Sequence, residues 1–192
     1  SFDSNRLIFD LAETSKIITS KSNLKEVVVG LTSATATTNV ARLDGFSKRI
    51  LRNYPGIKIV EKAYSQSQPS VANTNVSNWL TKYPDLAGIF AIDGTNAAGA
   101  AAALQSKGLV GKIALVGYDA YPANVDLLKA GVFTALIAQD PAAEARLAIK
   151  TLVDYIKNGT KPAQRDVVIP NVALTADTSA EDLAKYTYVA TN

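Results

Sequence analysis

The chain has 192 residues, 47% of them apolar, and a net charge of +3, enough to bury a sizeable core as one globular domain and too apolar for a disordered chain. It contains no Cys and no His, which removes disulfides, thiolate nucleophiles, the usual zinc ligands and the commonest general base, and with them most hydrolase and metalloenzyme constellations. Basic residues are scattered rather than blocked, so no nucleic-acid footprint is visible, and no apolar run approaches the roughly 18 residues of a membrane span.

In chain order, Leu11, Ile17 and Ile18 form part of an apolar face and predict a helix over 10–20. Residues 26–31, EVVVGL, are a β-branched run suited to a strand buried on both faces. A Ser/Thr loop then leads into a helix with Val40, Phe46, Ile50 and Leu51 on or near one face. Residues 57–63 read as a strand, and 69–83 as a helix with proline at its start, Trp79 lying in the core beside Val76 and Leu80. A buried strand over 86–92 is followed by an alanine-rich helix that Gly108 ends. Next come a strand over 113–118, a short helix over 123–130 and a strand over 132–138. The longest helix, 141–159, runs from a proline to a glycine, 166–174 is extended, and SAEDLAKY closes with a short helix.

Strands alternating with helices of this length predict an α/β fold, an open parallel sheet with helices on both faces. Right-handed crossovers then put every strand's carboxyl end on one edge, where ligands bind in such sheets. The polar residues just past those ends are 32–39 with Arg42, 64–68, 93–96, 119–121, and Gln139 with Asp140. The stretch 112–140 is the centre of this reading, because two adjacent parallel strands deliver a carboxylate, Asp119, and an amide, Gln139, to the same edge.

Each of these residues also has a purely local reading. Asp93, before Gly94 and Thr95, serves equally to shape a turn or cap the helix beginning near Asn96. Asp119 precedes a turn with Pro122, Arg42 fits a solvated helix position paired with Asp44 or Glu61, and Gln139 with Asp140 fits the cap of the helix at Pro141. The Ser/Thr run after Leu31 lacks the glycine and lysine signatures of a phosphate cradle, which argues against a nucleotide site.

Four segments carry a resemblance: NVARLDGF, YPDLAGIFAIDGTNAAGAAAALQSKG, KIALVGYDA and LLKAGVFTALIAQDP. Each alone is a weak signal, but together and in this order they resemble the second lobe of periplasmic sugar-binding proteins of the ribose-binding type, a scaffold shared with LacI-type regulators. The resemblance runs over 26–174 and implies a sugar-binding C-terminal lobe there, a crossover segment and first helix over 1–25, and a terminal segment over 175–192. It implies a small-molecule sugar bound at the strand ends by Arg42, Asp93, Asp119 and Gln139 as two lobes close, with no catalysis and no cofactor. Sugar hydroxyls donate and accept, so carboxylates, a guanidinium and an amide suit them. Tyr64 and Tyr121 are the candidates for stacking on the sugar ring, since the loop after the second strand reads YSQSQPS.

The resemblance further implies a monomer that docks on ABC permease subunits, no nucleic-acid partner, and an extracytoplasmic location in the periplasm or at the membrane-anchored cell surface. Such proteins run close to 300 residues, so this chain is expected to lack the first lobe, and the absence of Met fits a mature or cut chain. A regulator's effector domain is the alternative reading. An enzyme using Asp93 and Asp119 as paired carboxylates is the third and least favoured. On the leading reading Asp119 accepts two sugar hydroxyls, and Asp119→Ala costs roughly 1.5 to 3 kcal/mol of binding with the fold intact.

Overall fold

The computed structural model describes residues 26–188. They form β1 (Glu26–Leu31), α1 (Thr37–Asn53), β2 (Lys58–Tyr64), α2 (Pro69–Lys82), β3 (Gly88–Ala91), α3 (Gly94–Ser106), β4 (Ala114–Tyr118), α4 (Pro122–Lys129), β5 (Ala135–Ala138), α5 (Pro141–Asn158), β6 (Val172–Leu174) and α6 (Ala180–Tyr186). The helix expected over 10–20 lies outside the described residues.

The strands make one six-stranded sheet in the order β2-β1-β3-β4-β5-β6. β1 to β5 are parallel, as alternating strands and helices require, whereas β6 runs antiparallel to β5, with Leu136 opposite Leu174. The expected all-parallel sheet is thus mixed at one edge, and of the extended stretch 166–174 only 172–174 pairs as a strand. The chain moves from β1 to β2 on one side and then to β3 on the other, so the loops after β1 and β3 part at a switch point where a crevice forms.

Side chains of the central strands alternate between two cores, as the period of a strand dictates. Val28, Ile89, Leu115 and Leu136 face Trp79, Val76, Leu104 and Leu128 from α2, α3 and α4. Val27, Val29, Phe90, Val116 and Ile137 face Phe46 and Ile50 of α1. The expected face of α1 needs correction: Val40 is 47% and Leu51 76% exposed, because the buried stripe runs through Asn39, Arg42, Phe46 and Ile50 and leaves those two beside it. Among the described residues no helix is long and apolar enough to cross a membrane.

α5 starts as expected, with Asp140 capping it through Ala143 N–H at 2.8 Å and Gly159 ending it in the left-handed conformation. It does not cover the sheet: none of its residues is buried among the described residues, and Ile149, Leu152 and Ile156 are 64%, 58% and 71% exposed. These three lie at helical spacing on one stripe. The chain by itself should therefore associate in solution, and the double substitution Leu152→Glu, Ile156→Glu should turn a concentration-dependent oligomer into a monomer by light scattering. A monomeric wild-type chain would count against this.

Candidate ligand-binding site

Four strand ends, those of β1, β3, β4 and β5, supply a row of polar side chains along the carboxyl edge. Asp93, directly after Ile92, is the N-cap of α3: its Oδ1 accepts from Asn96 N–H at 3.0 Å, while its Oδ2 accepts from Asn96 Nδ2 at 2.7 Å and Thr32 Oγ1 at 2.5 Å. The local reading of Asp93 as a cap is therefore correct. The Thr32 bond nonetheless ties it across the β1–β3 switch point, which a cap alone does not require.

Asp119 follows β4 with φ of +69°, a left-handed conformation that Asp tolerates better than most residues. Its Oδ2 accepts from Gly94 N–H at 3.0 Å, at the start of α3, and its Oδ1 accepts from Gln139 Nε2 at 2.7 Å. The side chain thus bonds across strands and not to its own turn. Gln139 likewise does not cap α5, a task taken by Asp140, but turns to Asp119. The carboxylate and amide expected at one edge are in direct contact.

Arg42 corrects the solvated alternative. It is 9% exposed, its Nη1 donates to the Ile92 carbonyl at 2.8 Å, and its guanidinium stacks over the Tyr118 ring at 3.8 Å. The two carboxylates suggested as partners are engaged elsewhere, Asp44 with Lys48 and Glu61 with Lys82. Arg42 and Gln139 also line a groove of about 780 Å³ between α1, α5 and the segment before β6, together with Thr38, Leu147, Tyr155 and Ile169.

The two candidate stacking rings are separated. Tyr121, 49% exposed, lies over the amino end of α3 so closely that a Cβ on Gly94 would stand 2.4 Å from its ring. Tyr64, 40% exposed, ends the edge strand β2, two strand spacings from β3 and so about 10 Å along the edge. Beyond it Ser65 to Gln68 form a tight turn, with Gln68 N–H bonded to Ser65 O at 2.9 Å and positive φ at both Gln66 and Ser67.

Sequence reasoning placed Thr32 and Asn96 in its candidate stretches 32–39 and 93–96 without a role for either, Asn96 being buried beneath Asp93, and it missed Tyr188 altogether. The Tyr188 hydroxyl accepts from Gln139 N–H at 3.0 Å and lies 3.4 Å from Asp119 Oδ1, and its ring meets that of Tyr121 edge-on at 5.4 Å. Burial pushes the Tyr188 phenol above the usual tyrosine range, and the negative charge of Asp119 adds to this. A raised folded pKa contributes stability that is fully present below the unfolded value near 10 and lost as pH rises through the folded one. In a phenolate absorbance titration Tyr188 should be among the late-ionising tyrosines, and Tyr188→Phe should reduce the late amplitude by one tyrosine. Uniform ionisation of all tyrosines would contradict it.

Comparison with known proteins gives the same architecture. Residues 13–161 match the model of the periplasmic binding protein domain. The chain is 35% identical over 83 residues to the D-allose-binding periplasmic protein of Escherichia coli, covering 43% of this chain and 27% of that protein. It is 29% identical over 143 residues to a D-ribose/D-allose-binding protein of Pseudomonas aeruginosa, covering 73% of this chain and 44% of that one. Among solved structures, an ABC transporter solute-binding protein from Agrobacterium vitis with bound D-fucose superposes with a TM-score of 0.84 at 21% identity, over 98% of this chain and 63% of that one. One from Actinobacillus succinogenes with bound D-allose gives 0.81 at 24% identity, over 94% and 62%. The chain thus spans less than half the length of these curated relatives. With a matched segment that covers most of its length, and the sheet order and edge geometry described above, the chain belongs to the periplasmic binding protein domain family.

Proposed function

We propose that the chain is the second lobe of a solute-binding component of an ABC importer, taking a monosaccharide or related polyol at the strand carboxyl ends without catalysis. The observation that carries this is the row Thr32–Asp93 and Asp119–Gln139 along one sheet edge, with Arg42 behind it. A carboxylate offers about four acceptor positions. Asp93 and Asp119 each use three on protein donors, counting the long contact from Tyr188, which leaves each about one position for a ligand hydroxyl. Remaining guanidinium and amide hydrogens supply donors. Such a surface suits a neutral polyhydroxyl ligand, and the relatives named above as D-ribose- and D-allose-binding make those two sugars the first to try.

In this reading the exposed stripe of α5 and the open groove beside Arg42 are covered by the rest of a two-lobed protein, which is then monomeric, lies outside the cytoplasm, and in closed form docks on the permease. The relatives are solute-binding proteins, which favours transport over an effector domain of a regulator. Native mass spectrometry of the full-length protein with D-ribose and with D-allose tests it. A sugar-mass adduct lost on denaturation is the expected result, and its absence with a panel of pentoses, hexoses and inositols would overturn the reading.

A further inference from the structure

The contact between the terminal segment and the site has a specific chemical form. Tyr188 N–H donates to the Ala120 carbonyl at 2.9 Å, which pins the segment to the residue directly after Asp119. Its hydroxyl has one proton and already receives Gln139 N–H at 3.0 Å, so its own proton is free to point to the carboxylate oxygen 3.4 Å away. That oxygen also receives Gln139 Nε2, so Asp119 Oδ1 is held by two donors while Oδ2 keeps an open position beside Gly94 N–H. The ring has its own support in the edge-on contact with Tyr121.

We propose that Tyr188 is a positioning residue of the sugar site: by bonding Gln139 and Asp119 together it sets the direction of the carboxylate and limits Asp119 to one ligand hydroxyl. The sugar half of this statement rests on the function proposed above, and the positioning half does not. In an unliganded site a carboxylate with only Gly94 and Gln139 as partners keeps some freedom about its Cα–Cβ and Cβ–Cγ bonds, and a third donor from a separate chain segment narrows it further. Without the hydroxyl, ligand binding has to supply the ordering, and affinity falls.

Tyr188→Phe in the full-length protein tests this, since it keeps the ring against Tyr121 and deletes only the hydroxyl. Without any ligand, the backbone amide of Gln139 should exchange with solvent about tenfold faster and the carboxamide signals of Gln139 should shift in NMR spectra. The carboxamide shift should largely vanish when the substitution is made in an Asp119→Asn background, because the tyrosine acts through Asp119. With D-ribose or D-allose, affinity should fall about tenfold in the wild-type background and little in Asp119→Asn. Unchanged Gln139 signals, or an equal loss of affinity in both backgrounds, would overturn the proposal. If the wild-type protein binds no sugar, the function proposed above fails, and the ligand-free NMR result alone decides whether Tyr188 positions the pair.

Discussion

Asp119→Ala should lower the unfolding free energy by about 3 kcal/mol as well as weaken ligand binding, a larger effect than a lost ligand contact alone would give. Two terms add. Alanine must adopt the left-handed conformation at φ of +69°, which costs roughly 1 to 2 kcal/mol. Gly94 N–H and the Gln139 amide also lose their acceptor, at roughly 1 to 3 kcal/mol for a buried donor left unpaired. The expectation from sequence, that the fold would stay intact, overlooked that Asp119 holds the amino end of α3 to the end of β5. Asp119→Asn separates the two roles: it tolerates the backbone, its oxygen accepts Gly94 N–H and its amide donates to the flipped Gln139 carboxamide oxygen, so denaturant unfolding should change little while sugar affinity falls by roughly 1.5 to 3 kcal/mol. An alanine variant as stable as wild type would show that these bonds are solvent-replaced.

Gly99→Ala should destabilise the fold by about 2 to 3 kcal/mol, at the upper end of what one added methyl does in a packed interior. Gly99 lies where α3 crosses α2. A Cβ there would stand 2.5 Å from the Pro69 carbonyl oxygen, 2.5 Å from Ala72 Cβ and 2.9 Å from Asn73 N. Backbone atoms cannot rotate away as a side-chain tip can, so the two helices must part. Parting them shifts Gly94 and Asp93, five and six residues before Gly99 on the same helix, so ligand affinity should fall with stability. Gly56→Ala is the control: nothing lies within 4 Å of its added methyl, and its unfolding midpoint should match wild type. Equal stability of the two variants would refute the close-crossing argument.

The elements were legible because their signals are local. β1 has a continuous β-branched run and matches the expected 26–31, and the helices at Pro69 and Pro141 begin where proline places them. The Asp119–Gln139 contact was legible for a topological reason, as neighbouring parallel strands must end together. What was not legible depends on pairing across distance. Antiparallel β6, the burial of Arg42 over Tyr118, and the arrival of Tyr188 at Asp119, 69 residues away, leave no periodic trace in the sequence. The placement of α5 failed for another cause. Its apolar pattern shows that it needs a partner, and a pattern does not say which surface that partner is.

The chain leaves the sheet after Ala138 and rejoins it at Val172, and the whole of α5 lies on that excursion. The first residue after departure, Gln139, is the one that grips Asp119. The site and α5 therefore share a single root in the backbone, one residue apart at Gln139 and Asp140. If a molecule that clamps Gln139 changes how α5 sits, linkage requires that whatever holds α5 change affinity at the edge by the same factor. A fluorophore pair on α5 and α2 would read this reciprocity directly as a distance distribution that narrows when the site fills.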